Sequence, residues 1–288
     1  MKPGSLDAAV ADAAARLATA GIEEARAEAR LLVCQAAGID RAALLGHGDR
    51  QLGPEAAAQL AAMLEARCDR VPMAQVLGWR GFWEHEFAVT GDTLTPRPET
   101  ELLVETALAR VDGTRAMRLL DLGTGTGCLL LSLLAAWPRA WGLGIDRSAA
   151  ALAVAAGNRR RLGLASRCAL LQGDWCDAVA GSFDVIVANP PYIPAAEIAG
   201  LAPEVARHEP RLALDGGADG LDPYRRLFPR MRDLLAPDGI ALFEHGAGQG
   251  AVLADLAQAA GLRLIARLDD LAGHDRCIVL GLARGDNR

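Results

Sequence analysis

The chain has 288 residues, 51% of them hydrophobic and 23% charged, a balance that excludes an intrinsically disordered protein. Its formal net charge of −6 argues against broad electrostatic binding of nucleic acid, and no apolar stretch is long enough to span a membrane. Because the first residues lack the apolar core of a signal peptide, we expect a protein of the cytoplasm with no membrane partner.

The cysteines and histidines predict neither disulfides nor a metal site. The six cysteines form no Cys-x-x-Cys pair, and the five histidines form no His-Glu-x-x-His motif. Zinc sites need ligands at such close spacings, so we expect free thiols and no bound metal. The cysteines are Cys34, Cys68, Cys128, Cys168, Cys176 and Cys277.

The first third of the chain predicts two small modules. Residues 5 to about 70 alternate alanine-rich runs of helical periodicity with short breaks, which indicates an N-terminal helical domain over residues 1–74. The stretch QVLGWRGFWEHEFAV, residues 75–89, is aromatic-rich and roughly alternating, which is typical of a β-hairpin. We assign residues 75–95 to this β-hairpin linker.

Strands and helices alternate from Met117 onward. The strand-like segments are MRLLDLG, AWGLGID, CALLQGD, FDVIVAN and IALFEHG, and two more follow in the tail. Helix-like segments lie between them, and an amphipathic helix over residues 99–109 precedes them. This order predicts an α/β domain over residues 96–288, with a doubly wound, mostly parallel sheet.

A glycine-rich turn, Asp121-Leu122-Gly123-Thr124-Gly125-Thr126-Gly127, follows the first of these strands. A dinucleotide fingerprint would need glycine where Cys128 stands, so a pyrophosphate is not the obvious ligand. The next strand ends in Asp146, whose carboxylate can accept hydrogen bonds from ribose hydroxyls. Both features resemble the S-adenosylmethionine (SAM) site of Rossmann-like methyltransferases. The alternative is a plain strand-to-helix turn.

The third strand ends in Gly173-Asp174-Trp175. In a methyltransferase this strand end borders the adenine, so we expect Trp175 against the base and Asp174 as an acceptor from its amino group. A polar strand end with a packing tryptophan is the alternative. The predicted cofactor-binding residues are Gly123, Thr124, Gly125, Thr126, Gly127, Asp146, Asp174, Trp175 and Asn189.

Asn189-Pro190-Pro191-Tyr192 ends the fourth strand, which we expect beside the first. The tetrapeptide resembles the signature of methyltransferases that act on a planar, weakly nucleophilic NH2 group. The side-chain oxygen of Asn189 and the carbonyl of Pro190 can accept the two hydrogens and stabilise charge that develops on the nitrogen. Tyr192 can pack on the planar group. We therefore predict Asn189, Pro190 and Tyr192 as catalytic, and all four residues as substrate-binding.

The tetrapeptide alone leaves adenine N6, cytosine N4 and a glutamine amide open as substrates. Besides the tetrapeptide, however, the chain contains the segments EARLLV, TPRPETELLVE, DLGTGTGCLLLSL, GDW and EVARHEPRLALDGGADGLDPYRRL. With these matching segments, nearly the whole chain is similar to the release factor glutamine methyltransferases, the PrmC/HemK family. The resemblance implies SAM as the cofactor, bound by residues 123–127, Asp146, Trp175 and Asn189. It also implies that residues 189–192 hold the glutamine of the Gly-Gly-Gln loop of a bacterial peptide chain release factor.

Some residues depart from this family pattern or lack a clear role. Cys176 stands where an aromatic residue is more frequent, and His245 where isoleucine is common. Arg97 and Glu101 could orient the substrate loop or form an ion pair with each other. A further charged segment is expected to be a loop that closes over the site or is merely solvated; it contains Glu204, Arg207, Glu209 and Arg211.

The leading hypothesis is therefore methylation of a release factor at its glutamine N5 atom, with no nucleic acid required. The alternatives are a glutamine methyltransferase of a large-subunit ribosomal protein, a nucleic-acid N6-adenine methyltransferase, and a non-catalytic binding module that retains the fold. Since an isolated glutamine offers little surface for specificity, we expect the helical domain to recognise the body of the protein substrate.

Overall fold

The computed structural model describes residue 2 and residues 4–283 of the chain. The described chain divides into two compact units. The first contains the described residues up to Gly78 together with Ala202–His208, and the second contains Trp79–Leu201 and the described residues from Glu209 onward. The N-terminal unit is therefore built from two separate pieces of sequence.

Helices make up the N-terminal part of the first unit. They are α1 (Leu6–Thr19), α2 (Ala25–Ala37), α3 (Arg41–Gly46), α4 (Pro54–Cys68) and α5 (Met73–Leu77). The Asp40 carboxylate caps α3 by accepting a hydrogen bond from the Ala43 N–H at 2.7 Å. Gly38 ends α2 in the left-handed conformation, with φ of 63°, which glycine adopts without a steric penalty.

The apolar faces of these helices form one core, in which Leu17, Leu32 and Leu64 are almost fully buried. Arg67 is buried beside this core at 5% exposure. Its guanidinium donates to the Glu28 carboxylate at 2.7 Å and to the Glu204 carboxylate at 3.0 Å. Because Glu204 belongs to Ala202–His208, this ion-pair network joins the two pieces of the first unit.

The second unit begins with a hairpin of β1 (Trp79–Phe82) and β2 (His85–Ala88), paired antiparallel. The hairpin is shorter than predicted, because residues from Gln75 to Leu77 lie in α5, which ends at Gly78 with φ of 80°. Phe82 and Phe87 point into the core of the second unit. Asn158 holds the hairpin by accepting from the N–H of Ala88 and donating to its carbonyl.

A seven-stranded sheet forms the centre of the second unit, in the order β5-β4-β3-β6-β7-β9-β8. Its first five strands are parallel, whereas β9 runs antiparallel to both of its neighbours. The strands are β3 (Met117–Leu122), β4 (Ala140–Asp146), β5 (Cys168–Gln172), β6 (Phe183–Ala188), β7 (Leu235–Glu244), β8 (Leu262–Asp269) and β9 (Asp275–Leu282). The predicted α/β class with a mostly parallel sheet is confirmed.

Helices on both faces cover the sheet, so successive residues of one strand enter different cores. Leu119 of β3 lies in one apolar cluster and Leu120 in the other. This burial on both sides explains why the central strands are mostly apolar on both faces. The remaining helices of the chain are α6 (Glu101–Arg110), α7 (Cys128–Ala136), α8 (Ala149–Arg161), α9 (Pro203–His208, in the first unit), α10 (Asp222–Leu234) and α11 (Gly250–Ala259).

The charged segment from Glu204 to Arg211 is not a loop throughout, and that prediction is wrong for most of its length. Residues 203–208 form α9, and a short 3-10 turn spans Arg211–Ala213. Proline at the first position of α9 supplies a φ that suits a helix start. Within the described residues, no helix combines the length and the apolar composition needed to cross a membrane.

Candidate active site

A cavity of about 420 Å³ opens at the carboxyl ends of β3, β4 and β6. The strand order reverses here, since β4 and β5 follow β3 on one side whereas β6 pairs with it on the other. Ligands of open α/β sheets bind at such a reversal, outside the carboxyl ends of the strands. The sheet therefore places the glycine-rich turn and the Asn-Pro-Pro-Tyr segment around one crevice.

The glycine-rich turn lies tightly against β4. The N–H groups of Gly123 and Thr124 both donate to the carbonyl of Ile145, at 2.9 and 2.8 Å. Gly123 has a φ of +77°, and a Cβ at this position would lie 3.3 Å from Cζ3 of Trp175. Glycine is therefore required here both by the backbone conformation and by the indole packed above it.

Asp146 links the end of β4 to this turn. Its Oδ2 accepts a hydrogen bond from the N–H of Gly125 at 2.9 Å, and its Oδ1 accepts one from the N–H of Ser148 at 2.9 Å. Each carboxylate oxygen retains a further lone pair, and Asp146 lines the cavity. The side chain can thus hold the loop and accept from a ligand at the same time.

Asp174 and Trp175 border the other side of the same cavity. The Oδ2 atom of Asp174 accepts from Arg226 at 2.8 Å, whereas its Oδ1 is buried and has no hydrogen-bond partner among the described residues. Trp175 has a φ of 55°, an uncommon conformation for a residue with a side chain. The carboxylate therefore offers one unused acceptor to a ligand.

Asp121, at the end of β3, is a second buried carboxylate of the cavity that sequence reasoning did not select. Its Oδ2 accepts from the hydroxyl of Thr124 at 2.6 Å, whereas its Oδ1 has no partner among the described residues. Removal from water raises the pKa of Asp121 to about 7. A cationic ligand beside this oxygen would compensate for its desolvation.

These groups fit SAM. The unpartnered oxygens of Asp121 and Asp174 are acceptors, and SAM carries donors in its ammonium and adenine amino groups. The carboxylate of Asp146 adds an acceptor suited to ribose hydroxyls. A buried acceptor without a hydrogen bond is energetically unfavourable, so a ligand that donates to these carboxylate oxygens gains binding energy.

Asn189, at the end of β6, is held by residues from two other elements. Its Nδ2 donates to the hydroxyl oxygen of Thr100 at 3.1 Å. The Thr100 hydroxyl donates in turn to Oε2 of Glu244 at 2.5 Å, and the Tyr192 hydroxyl reaches Oε1 of Glu244 at 3.4 Å. Asn189 and Thr100 line the cavity, whereas Glu244 and Tyr192 do not, so the cluster extends from the cavity wall into the protein interior.

Glu244, at the end of β7, is only 1% exposed. Burial raises its pKa to about 7, while the hydrogen bond from Thr100 and the charge of Arg276 act in the opposite direction. The Tyr224 hydroxyl donates to its backbone carbonyl at 2.7 Å. Hydrogen bonds thus hold both the carboxylate and the backbone carbonyl of Glu244.

The cavity brings together most, but not all, of the predicted site residues. Pro190, Tyr192 and Gly127 lie outside the lining, Pro190 being buried and Tyr192 turned towards Glu244. Gly127 begins α7 with a φ of 82°. The predicted residues that line the cavity are Gly123, Thr124, Gly125, Thr126, Asp146, Asp174, Trp175, Asn189 and Pro191.

Arg97 and Glu101 do not pair with each other, so that alternative is wrong. Arg97 donates to Oε2 of Glu209 at 2.6 Å, and the N–H of Thr95 donates to Oε1 of the same carboxylate. Glu101 instead accepts from the N–H of Trp83. Arg97 lines the cavity and Glu209 is 6% exposed, so the pair fixes the cavity rim near Pro96.

Sequence reasoning missed four residues that shape the site: Asp121, Thr100, Glu244 and Asn158. Asn158, on α8, is fully buried and donates to the carbonyl of Thr126 in the glycine-rich turn. A signal existed for Asp121 and Glu244, because each is a carboxylate at the carboxyl end of an apolar strand. Thr100 lies within the TPRPETELLVE segment, but no local pattern assigns a role to Thr100 or to Asn158, whose partners are distant in sequence.

Both departures from the family pattern are buried in the second unit. Cys176 is 1% exposed and packs in the core, where burial raises the pKa of its thiol. His245 is fully buried, with Nδ1 3.0 Å from the carbonyl of Gly246, and burial lowers its pKa. Burial thus favours the neutral form of both side chains, although the Asp275 carboxylate, 3.5 Å from Nε2 of His245, acts in the opposite direction on the histidine.

Two family models match the chain. The model described as PrmC N-terminal domain matches residues 8–78, and the one described as methyltransferase domain matches residues 114–260. The second covers the glycine-rich turn, Asp146 and the Asn-Pro-Pro-Tyr segment, so the cavity belongs to a methyltransferase domain. The protein is accordingly a SAM-dependent methyltransferase.

Whole-chain relatives agree with these matches. The release factor glutamine methyltransferase of Rhodospirillum rubrum is 50% identical over 92% of this chain and 81% of its own length. That of Cereibacter sphaeroides is 51% identical, over 91% of this chain and 93% of its own. The hMettl16 catalytic domain, solved with the MAT2A 3'UTR hairpin 6, shares the fold at 14% identity, with a TM-score of 0.54 over 81% of this chain and 83% of its own. The chain belongs to the release factor glutamine methyltransferase family.

Proposed function

We propose that this protein transfers the methyl group of SAM to the side-chain N5 atom of the glutamine in the Gly-Gly-Gln loop of peptide chain release factors. The main structural support is the side-chain amide of Asn189, which lines the cavity and donates a hydrogen bond to Thr100. The identity of about one half to two release factor glutamine methyltransferases supports the same substrate.

In this proposal the cofactor lies along the carboxyl ends of β3, β4 and β5. Gly123 and Trp175 shape the crevice, Asp146 accepts from the ribose, and Asp174 accepts from the adenine amino group. The free oxygen of Asp121 would accept a hydrogen bond from the cofactor's ammonium group. Bound SAM supplies an electrophilic methyl group on a positively charged sulfur.

The Asn-Pro-Pro-Tyr segment holds the glutamine amide. The amide nitrogen is a weak nucleophile because its lone pair is delocalised into the carbonyl. The Oδ1 atom of Asn189 and the carbonyl of Pro190 accept its two N–H groups and stabilise charge that develops during transfer. Correct alignment of two reactants can supply at most about 7–11 kcal/mol of a barrier. The N–CH3 bond forms as the S–CH3 bond breaks, and S-adenosylhomocysteine leaves as a neutral thioether. The methylated nitrogen is then positively charged and acidic, so it releases one proton to water without a strong base.

The helical domain, which the sequence predicts over residues 1–74, is proposed to bind the body of the release factor. A flexible loop alone buries too little surface for specific recognition. The proposal needs no nucleic acid, and since release factors act in translation it includes the cytoplasm as the working compartment.

The decisive experiment mixes nuclease-treated protein, SAM and a purified release factor, and maps the product by tandem mass spectrometry. We expect one added methyl group on the Gly-Gly-Gln glutamine. We also expect no product with Asn189→Ala, while calorimetry shows SAM binding within about threefold of the wild type, a change below 1 kcal/mol. Leu264→Ala, on the exposed face of β8, serves as the matched control with unchanged activity.

An unmodified release factor with SAM still bound would refute the substrate assignment. In that case ribosomal protein and nucleic acid would be the next substrates to test. Equal loss of transfer and of SAM binding in Asn189→Ala would refute its role as the residue that holds the glutamine.

A further inference from the structure

The hydrogen bonds behind Asn189 have a defined direction. The hydroxyl of Thr100 carries a single proton, and when the carboxyl of Glu244 is ionised the 2.5 Å contact with its Oε2 uses that proton. Towards Asn189, Thr100 can therefore act as an acceptor and not as a donor. The group facing it at 3.1 Å must be the NH2 end of the asparagine amide.

This direction fixes the opposite end of the same amide. An asparagine side chain can rotate by half a turn and exchange its oxygen and nitrogen at little intrinsic cost. With Nδ2 engaged by Thr100, the oxygen Oδ1 remains for a ligand in the cavity that Asn189 lines. A rotated amide would present N–H groups to the NH2 group of the substrate, donor against donor.

We propose that Thr100 and Glu244 are positioning residues that hold the Asn189 amide with its oxygen towards the substrate nitrogen. The proposal rests on the function proposed above and extends it to two residues that do not touch the transferred group. Glu244 supplies the acceptor that orients the Thr100 hydroxyl, and Thr100 transmits this orientation to Asn189.

Burial makes such orientation effective. Thr100 is 2% exposed and Glu244 1%, so water does not compete for these groups as it would on the surface. The Tyr192 hydroxyl approaches the other carboxylate oxygen, and the Tyr224 hydroxyl holds the Glu244 backbone. An acceptor that is aligned before the substrate arrives needs no reorganisation during transfer.

The test uses a matched pair at Thr100 in the full-length protein. Thr100→Val keeps the volume and removes the hydroxyl, whereas Thr100→Ser keeps the hydroxyl and removes a methyl group. We expect Thr100→Val to lower kcat for release factor methylation at least about tenfold, equivalent to about 1.4 kcal/mol in the barrier. Thr100→Ser should recover most of this loss, and calorimetry should give a Kd for SAM within about twofold for both variants.

A spectroscopic readout reports the amide itself. The chain has three asparagines, Asn158, Asn189 and Asn287, so selective 15N labelling gives three side-chain NH2 signals. The Asn189 signal is identified by its loss in Asn189→Ala. We expect it to shift in Thr100→Val and to remain near its wild-type position in Thr100→Ser, while the Asn158 signal is unchanged.

A second route covers the case in which a valine at position 100 disturbs folding. Glu244→Leu removes the acceptor and should lower kcat, whereas Glu244→Gln retains a carbonyl oxygen for Thr100 and should have a smaller effect. Wild-type kcat in both Thr100→Val and Glu244→Leu would overturn the proposal, as would failure of Thr100→Ser to recover activity. If the wild type itself does not methylate the release factor, the proposed function fails, which is a different outcome.

Discussion

The carboxylate of Asp146 accepts a hydrogen bond from the backbone N–H of Gly125 at 2.9 Å, although the two residues are 21 positions apart. This bond joins the end of β4 to the middle of the glycine-rich turn. The same side chain lines the cavity, so the geometry of the turn and the proposed acceptor for the ribose depend on one residue.

We expect Asp146→Ala to weaken SAM binding about 30- to 150-fold, because it removes hydrogen bonds to a charged acceptor worth about 2–3 kcal/mol. Asp146→Asn, which keeps one acceptor oxygen, should lose less. Titration calorimetry gives both Kd values. At saturating SAM the KM for release factor should stay unchanged, and a large rise in that KM would contradict a role confined to the cofactor.

Asp121 predicts a specific pH dependence of stability. Its folded-state pKa of about 7 lies above the ordinary value near 3.9, so the folded protein keeps a proton that the unfolded chain has already released. Stability from this group is complete below pH of about 4 and is lost as pH rises to about 7, by at most about 1.4 kcal/mol per pH unit.

With no SAM added, we therefore expect the unfolding free energy of the wild type to fall relative to that of Asp121→Asn as the pH rises from about 4 to about 7. Urea unfolding at several pH values measures it. A difference that is constant with pH would mean that Asp121 ionises normally in the folded state.

Arg67 makes a third prediction, about the stability of the first unit. Removing its guanidinium leaves the partly buried carboxylates of Glu28 and Glu204 without their buried partner. We expect Arg67→Ala to cost about 2–4 kcal/mol and to speed amide hydrogen exchange in α9. Arg211→Ala, which breaks a pair whose arginine is 67% exposed, should cost at most about 1 kcal/mol. Equal effects of the two variants would contradict the argument.

Leu45 offers a test of substrate recognition by the helical domain. It lies on α3 and is 79% exposed, which leaves its apolar surface available to a protein partner. We expect Leu45→Glu to raise the KM for intact release factor at least about fivefold, equivalent to about 1 kcal/mol. The KM for a short Gly-Gly-Gln peptide should not change. Leu264→Glu, at 42% exposure in the second unit, is the control and should change neither value.

The sequence predicted the parts of the site that follow from strand ends. Because parallel strands bring their carboxyl ends to one edge, the sequence alone places Asp146, Asp174 and Asn189 at a common cavity, which all three line. The glycine spacing with Cys128 at its end correctly favoured SAM over a dinucleotide. These inferences depend on periodicity and topology, which are encoded locally along the chain.

The parts that could not be predicted depend on pairs of side chains distant in sequence. Thr100 meets Glu244 across 144 positions, and Arg97 meets Glu209 across 112. The sequence near Arg97 favoured Glu101 as its partner, four residues away, but packing placed Glu209 closer. The helix α9 was missed because six residues with three charged or titratable side chains carry no apolar periodicity.

The two-piece construction of the first unit affects how the gene can recombine. The chain leaves the second unit after Leu201, contributes Ala202–His208 to the first unit, and returns at Glu209. A crossover near residue 78 would combine the helices of one parent with the Glu204 segment of another. Chimeras between diverged relatives should therefore form a stable first unit only when the residues that match Arg67, Arg70 and Glu204 come from the same parent or are identical in both parents.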